Sequence, residues 1–206
     1  MRLGVLGGTF DPVHLGHLIL GEVARQELAL DRVIFVPTGQ PWRKSGREIA
    51  DGADRLQMLR LATAGNPEVE VSSLEFDRPG PSYTEVTLEA LQGENPGAEL
   101  FFILGRDALI DFPNWHDPQR IAELATLAVA ERDDAALTGE TEADLPGVHA
   151  RLCHLHMLRV DINATAIREN VRDGRSIRYL VPDAVAAYIE ERGLYRAPSV
   201  SQRENR

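Results

Sequence analysis

Short apolar runs alternate along this chain with segments whose apolar residues recur at helical spacing. The runs, each of which predicts a strand, lie at 3–6, 32–37, 69–76, 99–104, 126–131 and 153–158. The helical spacing predicts helices at 15–28, 53–65, 80–93, 117–124, 163–174 and 182–193. This alternation is typical of an α/β fold with a doubly wound parallel sheet, followed here by a small C-terminal helical segment.

Individual residues mark where two of these helices begin. Ser82 and Glu85 are three residues apart, as in a capping box, and predict the start of the third helix. Asp117 is followed by Pro118, which predicts the start of the fourth helix with the aspartate as N-cap and the proline at the first helical position.

The pattern predicts a single domain over 1–196, which includes the C-terminal helices at about 163–192. Glycine, proline and serine interrupt the chain at 37–53, and acidic residues recur at 133–147, so both segments are predicted to be surface loops. Residues 197–206 are predicted to be a disordered tail.

Composition limits the class of protein. With 206 residues, of which 43% are hydrophobic and 26% charged, the chain has the content of a globular domain. A formal net charge of -10 argues against nucleic acid or an anionic membrane as a partner, since both attract a positive surface. Cys153 is the single cysteine and no apolar run has the length of a membrane span, so a cytoplasmic location is expected. A homo-oligomer remains compatible with the sequence.

The stretch "GGTFDPVHLGH" at 7–17 carries the strongest chemical signal. Glycines after a first strand are common turn residues, and a single histidine on a helix is usually structural. A zinc pair on a helix usually stands at i and i+4, whereas His14 and His17 are three apart with no further ligand nearby, so no metal site is predicted. Gly7 and Gly8 before a helix start favour a phosphate site, in which the histidines donate hydrogen bonds and titrate near neutral pH.

Cys153, His154 and His156 form a second cluster of metal-ligating residue types. In a strand the two histidines would share one face and the cysteine would lie on the other. The spacing therefore does not predict a metal site there.

The histidine stretch resembles the HxGH signature of the nucleotidyltransferase superfamily, and its longer form is similar to that of bacterial nicotinate-mononucleotide adenylyltransferases. Further segments resemble that family in the same order along the chain. They are "VPTGQPWRK", "GPSYTEVTL", "GRDALIDFPNW", "INATAIR" and "YLVPDAVAAYIEERGLY".

This resemblance implies a Rossmann-like nucleotidyltransferase fold and transfer of AMP from ATP to nicotinate mononucleotide, with Mg²⁺ accompanying the ATP. The implied catalytic residues are His14, His17 and Arg168. The implied ATP-binding residues are Gly7, Gly8, Thr9, Phe10, His14, His17, Gly105, Asp107, Thr165 and Arg168. The residues implied to bind nicotinate mononucleotide are Lys44, Tyr83, Thr84 and Trp115, with the tryptophan stacked on the pyridine ring.

Two segments depart from the family pattern. Trp42 and Arg43 replace the usual residues of a proline-rich loop, and Asn163 and Ala164 replace the usual serines before Thr165. Other interpretations therefore stay open. They are an adenylyltransferase that prefers nicotinamide mononucleotide or phosphopantetheine, a nucleotide-binding regulatory module without catalysis, and an RNA-handling protein with an HxGH site, which the acidity disfavours.

Overall fold

A computed structural model describes residues 1–39, 49–132, 151–157 and 160–197 of the chain. The strands are β1 (Arg2–Gly8), β2 (Arg32–Pro37), β3 (Val69–Val71), β4 (Glu99–Gly105), β5 (Ala125–Arg132) and β6 (Leu152–Met157). The helices are α1 (Leu15–Glu27), α2 (Gly52–Thr63), α3 (Thr84–Glu94), α4 (Arg106–Asp111), α5 (Pro118–Leu124), α6 (Ala164–Arg172) and α7 (Asp183–Arg192).

The strands described here form one parallel sheet in the order β3-β2-β1-β4-β5-β6. The chain winds outward from β1 to β3 on one side and then returns to place β4 against the other side of β1. The carboxyl ends of β1 and β4 therefore diverge at a topological switch point, where α/β sheets bind their ligands. The predicted α/β fold class is confirmed.

Helices cover both faces of the sheet because the strand side chains alternate between two apolar cores. Leu3, Val5 and Phe102 point to the core shared with α3, α4 and α5. Leu6 and Phe101 point to the other core, where α1, α2, α6 and α7 pack. The C-terminal helices thus complete one layer of the molecule. No helix within the described ranges is both long and apolar enough to traverse a lipid bilayer.

Two predicted elements differ from the structure. The strand predicted at 69–76 ends at Val71, because the side chains of Ser72 and Ser73 hydrogen-bond to the backbone of Leu74 and the carboxylate of Asp77 and hold the chain in a turn. The capping box predicted from Ser82 and Glu85 is wrong. Helix α3 begins at Thr84 with Tyr83 as N-cap, and the Glu85 side chain turns inward instead.

Helix α4 and the 3-10 turn at Phe112–Asn114 are elements that the sequence analysis did not predict. Both are shorter than two turns of an α-helix, so their apolar residues show little periodicity. The start of α5 is as predicted, since Asp117 accepts a hydrogen bond from the backbone of Arg120 at 3.1 Å.

Candidate active site

Three cavities meet at the carboxyl edge of β1. The tryptophan cavity, about 420 Å³, lies beside Trp115, Tyr83 and Thr84. The histidine cavity, about 390 Å³, is lined by His14, His17 and Asp107, and the arginine cavity, about 170 Å³, by Arg168 and Thr165. Each pair of cavities shares a wall. Gly7 and Trp115 line both the tryptophan and the histidine cavity, and Thr9 lines both the tryptophan and the arginine cavity. His17 lines both the histidine and the arginine cavity.

The two histidines are placed by the start of α1. His14 is the N-cap residue with extended backbone, so it stands half outside the helix, and His17 is the third helical residue. Their rings stack at 3.6 Å between centroids, and Nδ1 of His17 accepts a hydrogen bond from the His14 backbone at 3.2 Å. The hydrogen of a neutral His17 ring therefore lies on Nε2.

Burial changes the acid–base behaviour expected of this pair. It lowers the pKa of His14 to about 4, and burial together with the neighbouring His14 lowers the pKa of His17 to about 3. The expectation that these residues titrate near neutral pH is wrong for the ligand-free protein. At pH 7 both rings are neutral hydrogen-bonding groups.

Glycine and phenylalanine shape the space around these rings. A Cβ atom on Gly16 would come within 3.1 Å of Nδ1 of His14, so the glycine between the histidines makes room for the stacked pair. Phe10 is buried with its ring edge-on to His17 at 4.9 Å, and a Cβ on Gly8 would lie 3.0 Å from the Phe10 ring. Phe10 therefore packs against His17 and Gly8, and it also lines the arginine cavity.

Arg168 of α6 reaches the histidine stretch through Asp11. Its guanidinium donates to the backbone carbonyl of Asp11, lies 3.7 Å from the Asp11 carboxylate, and donates to Thr165 Oγ1 at 3.1 Å. The Asp11 carboxylate is buried and also accepts from the Tyr195 hydroxyl at 2.8 Å and the Ala50 backbone at 3.2 Å. Segments that are far apart in the sequence thus converge on one carboxylate.

Arg55 is a further organising residue, which the sequence analysis missed. Its side chain is buried and donates to the carbonyls of Ala50, Thr9 and Gly39 at 3.1, 2.8 and 3.3 Å. It therefore joins the loops that follow β1 and β2. One arginine in an otherwise ordinary helix gives no sequence signal of this role.

The segment that follows β4 lines the histidine cavity. Gly105 is the N-cap of α4 and Asp107 is exposed in its first turn, where a carboxylate interacts favourably with the helix dipole. Both residues line the cavity together with the histidines. The structure brings them together at the edge of the sheet, as the sequence predicts for residues that follow parallel strands.

Aromatic rings line the tryptophan cavity. Trp115 packs edge-on to Phe102 at 5.9 Å and obliquely against Phe112 at 5.6 Å, which fixes its ring. Tyr83 stacks on His116 at 4.2 Å, and Nδ1 of His116 lies 2.5 Å from Glu85 Oε1. The sequence analysis missed His116 and Glu85, although His116 directly follows the tryptophan that it singled out.

Of the two segments that depart from the family pattern, the structure describes the one at Asn163 and Ala164. Asn163 is the N-cap of α6, and its side-chain oxygen accepts from the Ala166 backbone at 2.9 Å, so it takes the role of a helix cap. Ala164 is the first residue of α6 and lines the arginine cavity. Trp42, Arg43 and Lys44 lie outside the described residues.

The second candidate cluster has the predicted strand geometry. In β6 the His154 and His156 side chains are exposed on one face, whereas Cys153 is half-buried on the other. Within the described ranges no group of three or more His, Cys, Asp or Glu side chains has the arrangement of a metal site.

Comparison with known proteins adds sequence relatives of this chain. Residues 5–170 match the family described as cytidylyltransferase-like. A protein of Roseiflexus sp. (strain RS-1) that carries the name "Probable nicotinate-nucleotide adenylyltransferase" is 50% identical over 196 residues, which cover 94% of this chain and 98% of the relative. A Dehalococcoides mccartyi (strain ATCC BAA-2266 / KCTC 15142 / 195) protein of the same name is 44% identical, covering 95% of this chain and 97% of that protein.

Solved structures agree at the level of the fold. Plasmodium falciparum nicotinic acid mononucleotide adenylyltransferase complexed with NaAD has a TM-score of 0.76 at 15% identity, covering 94% of this chain and 97% of that one. The same enzyme complexed with APC has a TM-score of 0.74 at 14% identity, covering 94% and 96%. The chain therefore belongs to the cytidylyltransferase-like family, and within it to the group of bacterial proteins named nicotinate-nucleotide adenylyltransferase.

Proposed function

We propose that this protein transfers the adenylyl group of ATP to nicotinate mononucleotide. An oxygen of the acceptor's 5′-phosphate forms a bond to the α-phosphorus of ATP, the bond from that phosphorus to the bridging oxygen breaks, and pyrophosphate leaves with the electron pair. The products are deamido-NAD and pyrophosphate. Because the acceptor is itself the nucleophile, the reaction needs no covalent protein intermediate.

The observation that carries this proposal is the meeting of the three cavities at Gly7, Thr9 and His17. A two-substrate transfer requires one site for each nucleotide and a shared place for the reacting phosphates. We assign the acceptor to the tryptophan cavity, adenosine to the histidine cavity near Gly105 and Asp107, and the outer phosphates of ATP to the arginine cavity. The shared walls then bring the two reacting groups together.

In this assignment catalysis consists of positioning and of stabilising negative charge as it spreads over the phosphates. The neutral His17 ring offers its Nε2–H as a preorganised donor, because Nδ1 is occupied by the His14 backbone. Arg168 supplies a permanent positive charge, and its guanidinium suits phosphate oxygens. Trp115 stacks on the pyridine ring, and Tyr83 and Thr84 bring the start of α3 to its carboxylate, where helix N–H groups favour an anion.

Mg²⁺ is the divalent ion that this reaction class uses, and it commonly binds through substrate phosphates while keeping several waters. The one carboxylate that lines the arginine cavity in the described residues is Asp11, which Tyr195 and Arg168 already engage. The donor set thus fits an ion whose ligands are mainly phosphate oxygens and water. When bound with ATP, the ion neutralises charge on the leaving pyrophosphate.

The test is an acceptor panel. The purified protein is incubated with ATP and Mg²⁺ and with nicotinate mononucleotide, nicotinamide mononucleotide or phosphopantetheine, and pyrophosphate release is measured against a reaction without acceptor. We expect release chiefly with nicotinate mononucleotide, together with deamido-NAD in equal amount. Release chiefly with another acceptor would replace the assigned substrate, and no release with any acceptor would favour a regulatory module.

A further inference from the structure

The pair formed by His116 and Glu85 at the tryptophan cavity has no part in the function proposed above. Helix α3 carries Glu85, whose side chain is 8% exposed, and His116 follows Trp115 with its side chain 56% exposed. Nδ1 of His116 lies 2.5 Å from Glu85 Oε1, and because an ionised carboxylate can only accept, the imidazole donates. A buried acid therefore holds a ring of which more than half is exposed.

His116 is fixed in orientation as well as in position. Its ring stacks on Tyr83 at 4.2 Å with 24° between the planes, and Tyr83 is the N-cap of α3. The ring thus stands beside the helix start to which the acceptor's carboxylate is assigned. Trp115, the residue before it, forms the aromatic wall of the same cavity.

The charges around this cavity make His116 distinctive. Among the described residues that line it, Glu75 and Asp111 are the carboxylates, and His116 is the one side chain that can become positive. Glu75 is occupied, since one oxygen accepts from Thr87 Oγ1 at 2.8 Å and the other from the Gly39 backbone at 3.2 Å. An acceptor carboxylate would therefore be favoured by the N–H groups at the start of α3 and, among the described side chains that line the cavity, by His116.

Glu85 offers the ring a buried carboxylate as hydrogen-bond partner. Its second oxygen, Oε2, is buried and finds no hydrogen-bond partner within the described ranges. A hydrogen bond to this carboxylate is stronger from a cationic donor than from a neutral one. With an anionic acceptor bound, the ring lies between two carboxylates, and only the imidazolium can donate to both of them.

We propose that His116, held by Glu85, is a specificity-determining residue that selects a pyridine nucleotide bearing a carboxylate over one bearing a carboxamide. This inference rests on the proposed adenylyl transfer. The imidazolium donates from Nδ1 to Glu85 and from Nε2 to the acceptor's carboxylate. A carboxamide brings no negative charge to the ring and gains much less from it.

The test compares KM for nicotinate and nicotinamide mononucleotides in the wild type and in Glu85→Gln, His116→Asn and His116→Arg. Glutamine can still accept from Nδ1 but removes the charge, and asparagine removes the ring. For both we expect KM for nicotinate mononucleotide to rise about ten- to a hundredfold, because a charge-assisted hydrogen bond is lost. KM for the amide should stay within about threefold, and kcat should change little.

His116→Arg separates charge from shape, since it keeps a planar cation that can stack on Tyr83. We expect it to retain a preference for the acid that His116→Asn loses. Glu27→Gln is the matched control, because Glu27 also pairs with a histidine, His156, at 3.7 Å and lies outside the three cavities. It should leave both KM values unchanged.

Circular dichroism melting establishes that each variant is folded, and the exposed His116 variants serve if Glu85→Gln is not. Equal changes of KM for both acceptors would indicate a purely structural role and overturn the inference. So would an unchanged ratio of the two KM values in His116→Asn, or a wild type that prefers the amide. If the wild type forms no product with either acceptor, the proposed function fails, and this inference fails with it.

Discussion

His17 shows how one side chain acquires a defined chemical state from its surroundings. Its Nδ1 accepts from the backbone of His14, Phe10 lies edge-on to its ring, and burial keeps the imidazole neutral. A neutral ring with a fixed hydrogen is a preorganised donor, and it costs no reorganisation when negative charge develops beside it. The contribution of His17 should therefore appear in the rate of the chemical step.

We predict that His17→Ala lowers kcat of adenylyl transfer about a hundred- to a thousandfold, the usual effect of removing one preorganised donor. KM for the acceptor should change much less. The measurement is steady-state kinetics with ATP and nicotinate mononucleotide, with His154→Ala as control because His154 is exposed on β6. A near-normal kcat in His17→Ala would rule out this role.

The sequence identified many of the residues that line the cavities. His17, Thr165 and Arg168 lie around the arginine cavity, and His14 and His17 line the histidine cavity. Tyr83, Thr84 and Trp115 lie around the tryptophan cavity. Their roles remain predictions. The pKa values of the histidines could not be predicted, because they depend on how much water the completed fold removes from each ring.

At the scale of elements, the C-terminal segment after α7 contributes to the site from a distance. Tyr195 lies beyond the end of α7 and bonds to Asp11, which follows β1. Asp11 in turn contacts Arg168 of α6. Two C-terminal segments are thus connected to the histidine stretch through one buried carboxylate, and we treat Tyr195 as a positioning residue for Arg168.

We predict that Tyr195→Phe destabilises the fold by about 1–3 kcal/mol, because it leaves a buried carboxylate with one hydrogen bond fewer. It should also lower kcat by about three- to tenfold, because Arg168 is positioned less well. At a temperature where the variant is fully folded, a loss of stability alone would not lower kcat. Urea unfolding and steady-state kinetics measure the two effects. Tyr179→Phe is the matched control, since Tyr179 is 77% exposed.

An unchanged kcat in a destabilised Tyr195→Phe protein would reduce Tyr195 to a structural residue. Unchanged stability together with unchanged kcat would show that the hydroxyl contributes nothing at Asp11. Neither outcome would bear on the assignment of Arg168 to the phosphates.

Long periodic elements were predicted well, whereas short or context-dependent ones were not. Helix α1 and strands β2 and β4 carry strong patterns and occur where predicted. Glu85 follows the local rule for a capping box, yet its carboxylate pairs with His116, which is 31 residues away. A single sequence contains no local signal for that competing long-range partner.

For the molecule as a whole, the order of strands explains why residues far apart in the sequence share one site. Because β1 and β4 are parallel neighbours at the switch point, the loops after Gly8 and Gly105 open into the same crevice. Arg55 also joins the loops after β1 and β2, because it donates hydrogen bonds to the carbonyls of Thr9 and Gly39. The crevice is therefore a property of the topology, and the site residues occupy it.

The buried histidines predict a pH dependence of global stability. Burial lowers the pKa of His14 to about 4 and of His17 to about 3, below the ordinary value of 6.5. Between pH 6.5 and 4 the unfolded chain therefore binds protons that the folded protein does not, and stability falls as the pH falls. We expect each histidine to cost on the order of 1–2 kcal/mol between pH 7 and pH 5.

Urea unfolding at the two pH values measures this effect in the wild type and in a His14→Gln, His17→Gln double variant. The double variant should lose less stability between pH 7 and pH 5, since contributions from carboxylates are common to both proteins. His154→Gln provides the control with an exposed histidine. Equal losses in the wild type and the double variant would contradict the lowered pKa values.

The bond between Tyr195 and Asp11 spans 184 residues of the chain, and this has a consequence for the order of assembly. During synthesis the ribosome releases the histidine stretch well before Arg168 and Tyr195, which follow it by more than 150 residues. A nascent chain that has already paired β1 with β2 still lacks the cation and the hydroxyl that hold Asp11. Binding of the ATP phosphates would thus require that the C-terminal segment has docked. ATP binding would then indicate that the chain has been synthesised and folded as far as Tyr195.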